Sequence, residues 1–338
     1  MVTDKDFQEA VELVNRSENI LIATHIKPDG DACGCLAALY HALASLAKKP
    51  KLISPSSLPE WYEFLFNERV PVLGQDVPLE ELMQGRFGEC DLIIVVDTNS
   101  HSQLSEFDRY LKENDKPVLV IDHHVTSDGL GDVQLLDPTA AATSLIVHDL
   151  FKYANWPVTE KIAQSLFVGI ATDTGWFHFS NTDSRTHRTC AELIQAGAHP
   201  TELYHDLYQN FSPQRFKLMT AMLATLELHF DERYASQHLC QRHFQQTGAT
   251  YKDTENLIDE CRRIHTVEVA SLFVELKNGR IKCSLRSKGA VDVCKIAQKF
   301  GGGGHTAAAG THLPGPLEDA KQLILDAVAQ QLSETSDR

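Results

Sequence analysis

Asp122, His123 and His124 stand in a row directly after four apolar residues, Val118-Leu119-Val120-Ile121. Carboxylate and imidazole side by side are donors that a divalent cation takes. The run before them is apolar, rich in β-branched residues and cut off by polar ones, which predicts a strand buried on both faces. Open α/β sheets collect their ligands at the carboxyl ends of such strands. The chemistry then depends on whether other elements deliver matching donors.

Three further stretches do. Ile20 to Thr24 reads as a short strand that closes on His25-Ile26-Lys27-Pro28-Asp29-Gly30-Asp31, where Pro28 and Gly30 require a turn. Asp91 to Val96 is a second buried strand, ending at Asp97. Lys161 to Ala171 reads as an amphipathic helix running into Thr172-Asp173-Thr174-Gly175, with Gly175 as its stop signal. One strand-end aspartate is usually a cap or turn residue, and one histidine usually sits satisfied in a core. The set His25, Asp29, Asp31, Asp97, Asp122, His123, His124 and Asp173, all at element ends, signals a site instead. Converging carboxylates without cations would raise one another's pKa values, and two divalent ions relieve that repulsion. Mixed aspartate and histidine donors without cysteine point to Mn²⁺ ahead of Mg²⁺, Co²⁺ or Fe²⁺, and away from structural Zn²⁺.

The elements that must position these residues follow from periodicity. A first amphipathic helix covers residues 4–18, and a second runs from Ala32 to Ala47 with Asp31 near its N-terminus. Residues 50–90 are broken by prolines into short pieces. A short strand at Val133–Leu136 precedes helices from Thr143 to Phe151 and from Lys161. Strands alternating with helices indicate an α/β domain, a parallel sheet with helices on both faces. Residues 184–225 look helical throughout, as a connector. Beyond them LELHF, ERYASQHL, VEVASLFVEL and RIKCSLRS read as strands, with helices at Thr254–Ile264, Val291–Phe300 and Leu317–Leu332. This is a smaller α/β domain with a mixed sheet, and the tail SETSDR is expected to fray.

Bulk properties bound the rest. A chain of 338 residues exceeds one ordinary core, so two domains are expected. No apolar run approaches the roughly 20 residues of a membrane span, and the acidic N-terminus is unlike a signal peptide, so the expectation is cytoplasmic with no membrane partner. The eight cysteines are scattered without a CxxC pair and read as reduced thiols. A net charge of −15 opposes gripping long nucleic acid, duplex DNA included, by phosphate neutralisation alone. It suits a short anionic substrate held by local cations.

Read together, HxxPDGDA at 25–32, VVDTN at 95–99, DHH at 122–124 and TDTG at 172–175 resemble the motif series of the DHH phosphoesterase superfamily. RSK at 286–288 and GGGGHTAAAG at 301–310 are similar to its accessory domain, DHHA1. Size and domain order most resemble the nano-RNase/pAp-phosphatase (NrnA-like) group. The resemblance implies a DHH catalytic domain over 1–185, a helical connector over 186–225 and a DHHA1 domain over 226–332, with substrate between the domains. It implies two divalent cations, one held by His25 and Asp29, the other by Asp31, His123 and Asp173, with Asp97 bridging. His124 would contact the substrate phosphate, and Asp122 would orient the histidines from behind. A hydroxide shared by the two ions would attack phosphorus. Gly302, Gly303, Gly304 and His305 would contact the terminal nucleotide and Arg286 its phosphate; four glycines in a row also let backbone approach a ligand closely. The expected activity is hydrolysis of short oligoribonucleotides, linear dinucleotides such as pGpG, or 3′-phosphoadenosine 5′-phosphate (pAp). The alternatives are a RecJ-like exonuclease, which would normally carry an added nucleic-acid-binding domain, a cyclic-dinucleotide phosphodiesterase, and a nucleotide-binding regulator without turnover. The sequence is also compatible with a homodimer.

Overall fold

A computed structural model describes residues 2–209, 211–289 and 291–336. They divide into two compact units, one ending at residue 209 and the other beginning at Phe211.

The first unit is built on a five-stranded sheet: β1 (Asn19–Ala23), β2 (Lys49–Leu52), β3 (Leu92–Val96), β4 (Val118–Asp122) and β5 (Val133–Leu136). All pairs are parallel, in the order β2-β1-β3-β4-β5. The apolar runs are buried on both sides because helices cover both. Ile20, Ile22, Ile94, Val96, Leu119 and Ile121 face one core with helices α1 (Asp4–Arg16), α2 (Gly30–Ser45), α5 (Thr143–Ala154) and α6 (Glu160–Asp173). Leu21, Ile93, Val95 and Val120 face a second core with α3 (Leu79–Met83) and α4 (Glu106–Glu113). Alternate residues of one strand thus serve different cores, so strict apolar continuity is required. The strand order reverses between β1 and β3, the position at which open sheets of this order form a crevice.

Helix α6 differs from the amphipathic expectation. Ile162, Ala163, Ser165, Leu166, Phe167, Val168, Gly169, Ile170 and Ala171 are all buried, because α2, α5 and α7 (Ser184–Gln195) surround it. It meets α2 through glycines: a Cβ on Gly34 would sit 2.5 Å from the Ser165 carbonyl, and one on Gly169 would sit 2.7 Å from Asp31 Oδ1. Only hydrogen at these positions lets the helices approach closely enough to bring Asp31 level with the end of α6. The stretch expected to be one helical connector is three helices. α7 and α8 (Pro200–Tyr208) pack on the first unit, and α9 (Pro213–Leu223) belongs to the second.

The second unit holds β6 (Glu227–His229), β7 (Tyr234–Leu239), β8 (Val269–Glu275), β9 (Ile281–Ser287), β10 (Gly303–His305) and β11 (Ala308–Leu313), in the order β10-β11-β9-β8-β7-β6. Among the described residues only β7 and β8 pair in parallel, so the sheet is mixed as expected. Helices α11 (Val293–Gln298) and α12 (Leu317–Ser336) cover one face; α9 and the turn Leu257–Arg263 cover the other, with α10 (Gln241–Thr247) beside α9. That turn is a 3₁₀ helix and lies within the helix expected over Thr254–Ile264. The tail expected to fray from Ser333 is helical through Ser336, and residues 337 and 338 lie outside the described residues. All eight cysteines are free thiols. Among the described residues no helix is long and apolar enough to cross a membrane.

Candidate metal centre

The register of the first sheet sets the ends of three neighbouring strands side by side. Val95 pairs with Ala23 of β1, and Val96 pairs with Ile121 of β4. His25 therefore follows β1, Asp97 follows β3, and Asp122 to His124 close β4, all at carboxyl ends. Asp97 turns the chain with φ 62°, a left-handed conformation that aspartate tolerates better than most residues. Its N–H still donates to the Ile121 carbonyl at 2.9 Å, which locks the turn to the sheet.

Asp29 is the N-cap of α2, one residue before the helix and not within it as Asp31 is. Its Oδ1 accepts from the N–H groups of Asp31 at 3.0 Å and Ala32 at 3.1 Å, leaving Oδ2 for the site. Asp31 is held from another direction by the start of α5. Its Oδ2 accepts from the Thr143 N–H at 2.5 Å and its Oδ1 from the Ser144 N–H at 3.0 Å, an anion seated on a helix N-terminus. The Thr143 hydroxyl donates to Asp97 Oδ1 at 2.8 Å. Asp173 is the last residue of α6.

These placements create two sets of donor atoms that share a border. His25, Asp29 and Asp97 have atoms within 4.8 Å of one another, and so do Asp31, His123 and Asp173. A third grouping joins Asp97 to His123 and His124. Every residue that the sequence nominated in this unit is brought together, although α6 ends 76 residues after Asp97 in the chain.

The histidine tautomers can be deduced. His25 Nδ1 lies 2.8 Å from the Ile26 carbonyl and His123 Nδ1 lies 3.1 Å from the Ala140 carbonyl. A carbonyl only accepts, so both Nδ1 atoms carry hydrogen, and each ring in its neutral, metal-ligating form presents its lone pair on Nε2. His25 Nε2 faces Asp97 Oδ2 at 3.5 Å; His123 Nε2 faces Asp173 Oδ2 at 3.4 Å and Asp97 Oδ1 at 3.8 Å. Lone pairs facing carboxylate oxygens at these separations repel unless a cation lies between them. The donors are hard oxygen and imidazole nitrogen, which fits Mn²⁺, Mg²⁺ or Co²⁺. Buried Cys33 and Cys35 neighbour the carboxylates, and burial pushes both thiols well up, so they remain protonated and supply no ligand.

The electrostatics carry the same message. Burial pushes the Asp97 carboxyl well above the usual carboxylate range, and Asp31 and Asp29 push it further. Burial also raises Asp31, and raises Asp173 to about 8 with Asp31 and Asp29 contributing. No lysine or arginine among the described residues ion-pairs with these carboxylates; the side chains facing them at salt-bridge distance are imidazoles.

Asp122 holds one histidine, not both. Its Oδ1 accepts from His124 Nδ1 at 2.7 Å and from the His124 N–H at 3.2 Å, whereas His123 is oriented by the Ala140 backbone. Asp122 is wholly buried and the His124 side chain is half exposed, with Nε2 as its free end. The hydrogen bond to Asp122 pushes the His124 pKa up, against the effect of burial.

Sequence reasoning missed Thr143, Ser144 and the Ala140 carbonyl. Their partners lie 112 residues away for Thr143 with Asp31 and 46 for Thr143 with Asp97, so no local pattern links them. A Thr-Ser pair opening a helix hints at an anion seat without naming the anion. The Thr143→Val variant keeps shape and backbone and loses the hydroxyl to Asp97. It is expected to weaken divalent-metal binding about 10- to 100-fold, read by isothermal titration calorimetry, with Thr143→Ser close to wild type. Equal affinity for valine and threonine would remove the hydroxyl from the site.

In the second unit the nominated residues also converge. Arg286 of β9 pairs with Ala308 of β11, which pairs with His305 of β10. Directly opposed residues share a sheet face, so Arg286 and His305 flank Ala308 at about two strand spacings, roughly 10 Å. Arg286 is mostly buried, with Nε 3.9 Å from Asp259 Oδ1. The second half of the glycine run is in the sheet, with Gly303 and Gly304 opening β10, while Gly301 and Gly302 form the approach to it. A Cβ on Gly304 would lie 2.6 Å from the Ala309 Cα, and one on Gly302 would lie 2.6 Å from the Thr311 Cβ, so both glycines are required by strand packing itself. Gly303 meets nothing within 4 Å, and with Gly304 and His305 it forms an exposed edge.

The model of the DHH family's N-terminal domain matches residues 19–170, and that of the DHHA1 domain matches residues 233–334. A Thermus thermophilus protein named bifunctional oligoribonuclease and PAP phosphatase NrnA is 34% identical over 315 residues, covering 93% of this chain and 90% of that one. A Bacillus subtilis protein of the same name is 26% identical over 321 residues, covering 94% and 96%. The crystal structure of an exopolyphosphatase-related protein from Bacteroides fragilis superimposes with a TM-score of 0.87 at 24% identity over 99% of each chain, which establishes a shared fold.

Proposed function

Since the chain belongs to the DHH family and carries a DHHA1 domain, we propose that it is a metal-dependent phosphoesterase acting on short oligoribonucleotides and on pAp. The curated relatives that share nearly its whole length carry those two activities in their names. The single observation that supports the reading best is the pair of donor sets with imidazole lone pairs aimed at carboxylate oxygens.

His25, Asp29 and Asp97 would hold one divalent cation and Asp31, His123 and Asp173 a second, with Asp97 between them; Mn²⁺ is the ion we favour. Bound there, the cations would supply an acidified water as nucleophile and offset charge on the phosphate. The protein's own groups do the rest. His124, held by Asp122 through Nδ1, turns Nε2 outward and, when protonated, donates from it to a non-bridging phosphate oxygen. The raised pKa keeps that proton in place to higher pH than an ordinary histidine would. Thr143 and the first N–H groups of α5 fix Asp31 and Asp97 so that neither rotates when charge develops. In the second unit, Arg286 would take a phosphate of the terminal nucleotide, while His305 and the exposed edge of Gly303 and Gly304 would meet its sugar and base. Gly302, fixed by packing, would keep that edge in place.

The deciding experiment incubates purified protein and Mn²⁺ with pAp, pGpG and a 24-mer RNA, and follows released phosphate or mononucleotide. Turnover of pAp and pGpG with the 24-mer far slower is expected. No release from any of the three would end the enzyme reading, and faster cleavage of the 24-mer would end the short-substrate one.

A further inference from the structure

The turn from Gly175 to Phe179, directly beyond Asp173, lies outside both donor sets. Gly175, Trp176 and Phe177 are consecutive left-handed residues, with φ of 55°, 54° and 70°. Bulky residues adopt this backbone rarely, and it persists where the surroundings enforce it. Here they do. The Trp176 N–H donates to the Ala171 carbonyl at 2.6 Å and the Phe177 N–H to Thr174 Oγ1 at 3.3 Å. The N–H groups of His178 and Phe179 both reach the Thr174 carbonyl at 3.1 Å. The Asn181 amide donates to the carbonyls of Asp173 and Ala141, each at 3.1 Å. The turn is therefore tied to Asp173 itself.

Its rings are sorted. Trp176 packs on Phe167 and Tyr204, and Phe177 on Phe167 and His187. Phe179 is turned out, 51% exposed, and touches His178 at a tilt of 55°. A Cβ on Gly175 would stand 2.6 Å from Phe179 Cζ, so the glycine is also what seats this ring over the chain two residues past Asp173. The residues around it on the turn, His178, Ser180 and Asn181, are polar and exposed. A lone ring in a polar frame is too small a patch for a protein interface. It matches one flat apolar group, and every nucleobase has such a face.

We propose that Phe179 is the stacking surface for the nucleobase of the nucleotide whose phosphate is cleaved. This rests on the phosphoesterase reading of the adjoining site. The strained turn fixes the ring over Gly175, two residues past Asp173 of the proposed metal site, and stacking recognises any base, which suits an enzyme that clears short RNA of mixed sequence.

The test compares wild type, Phe179→Ala and Phe179→Tyr on a dinucleotide and on two analogues, each with one base replaced by an abasic ring. Phe179→Ala should raise KM for the dinucleotide about 5- to 150-fold with kcat little changed, and Phe179→Tyr should restore it. On one of the abasic analogues the wild type should show the same loss, and alanine should add nothing further. An unchanged KM, or an equal loss on both analogues and the dinucleotide, would overturn the proposal. Anisotropy of a labelled dinucleotide with Ca²⁺ measures binding apart from turnover. Binding that weakens in Phe179→Ala, in a protein that cleaves nothing with Mn²⁺, would sustain the stacking surface and remove the enzyme reading instead.

Discussion

The Asp97→Ala variant is expected to lose turnover of pAp and of dinucleotides by more than about 1000-fold, well beyond the about 10- to 100-fold that follows loss of an outer hydrogen-bond partner. Asp97 faces His25 through Oδ2 at 3.5 Å and accepts from Thr143 through Oδ1 at 2.8 Å, with His123 3.8 Å from Oδ1. It belongs to the donor set of His25 and Asp29 and stands beside His123 of the other set, so on the proposed assignment one truncation removes a ligand that both ions would share. The variant should nonetheless fold. A buried carboxylate repelled by Asp31 and Asp29 opposes folding of the metal-free protein, and removing it relieves that repulsion. Alanine tolerates the left-handed φ of 62° less well than aspartate does, so Asp97→Asn is the variant that should melt, metal-free, no lower than metal-free wild type. Activity of Asp97→Ala within tenfold of wild type, with both ions bound, would show the shared-ligand assignment to be wrong.

Removing divalent metal is expected to reverse how stability depends on pH. In the unfolded chain the aspartates titrate near about 4. In the folded metal-free protein Asp173 titrates at about 8, and burial raises Asp31 and Asp97 as well. Between these limits the folded state binds more protons than the unfolded state, so stability falls as pH rises through that window. Bound cations require the ionised carboxylates, so their stabilisation grows over the same range. Chelator-treated protein should melt progressively lower from pH 5 to pH 8.5, while protein with excess Mn²⁺ diverges upward. At about 100 times the dissociation constant an ion adds about 2.7 kcal/mol, or about 5–11 °C at about 2–4 °C per kcal/mol. The overall charge of −15 also lowers stability at high pH, so Asp173→Asn serves as the control. It should flatten the metal-free slope. An unchanged slope in that variant would remove Asp173 from the explanation.

Much of the centre was legible in the residues because each donor follows a recognisable local event. Ile93 to Val96 must be buried, and Asp97 must then leave the sheet; Pro28 and Gly30 force a turn between His25 and Asp31. Such events fix where a side chain sits along the chain. The role of Asp122 was harder to read, since the next two residues are both histidines and only the observed rings show which one it holds. The glycine run was open to misreading for the opposite reason. Glycine is demanded by ligand approach and by strand packing alike, and at Gly302 and Gly304 packing suffices.

By itself the sequence determined the donor types, their places at element ends and the alternation that makes a parallel sheet. Those follow from local propensity and burial, which act over a few residues. Tertiary structure alone decided which donors lie within reach of one another. It also set the tautomers of His25 and His123, the anchoring of Asp31 by a helix start 112 residues away, and the outward ring of Phe179. These depend on strand register and on the glycine-allowed approach of α2 to α6, contacts between segments whose separation in the chain leaves no local trace.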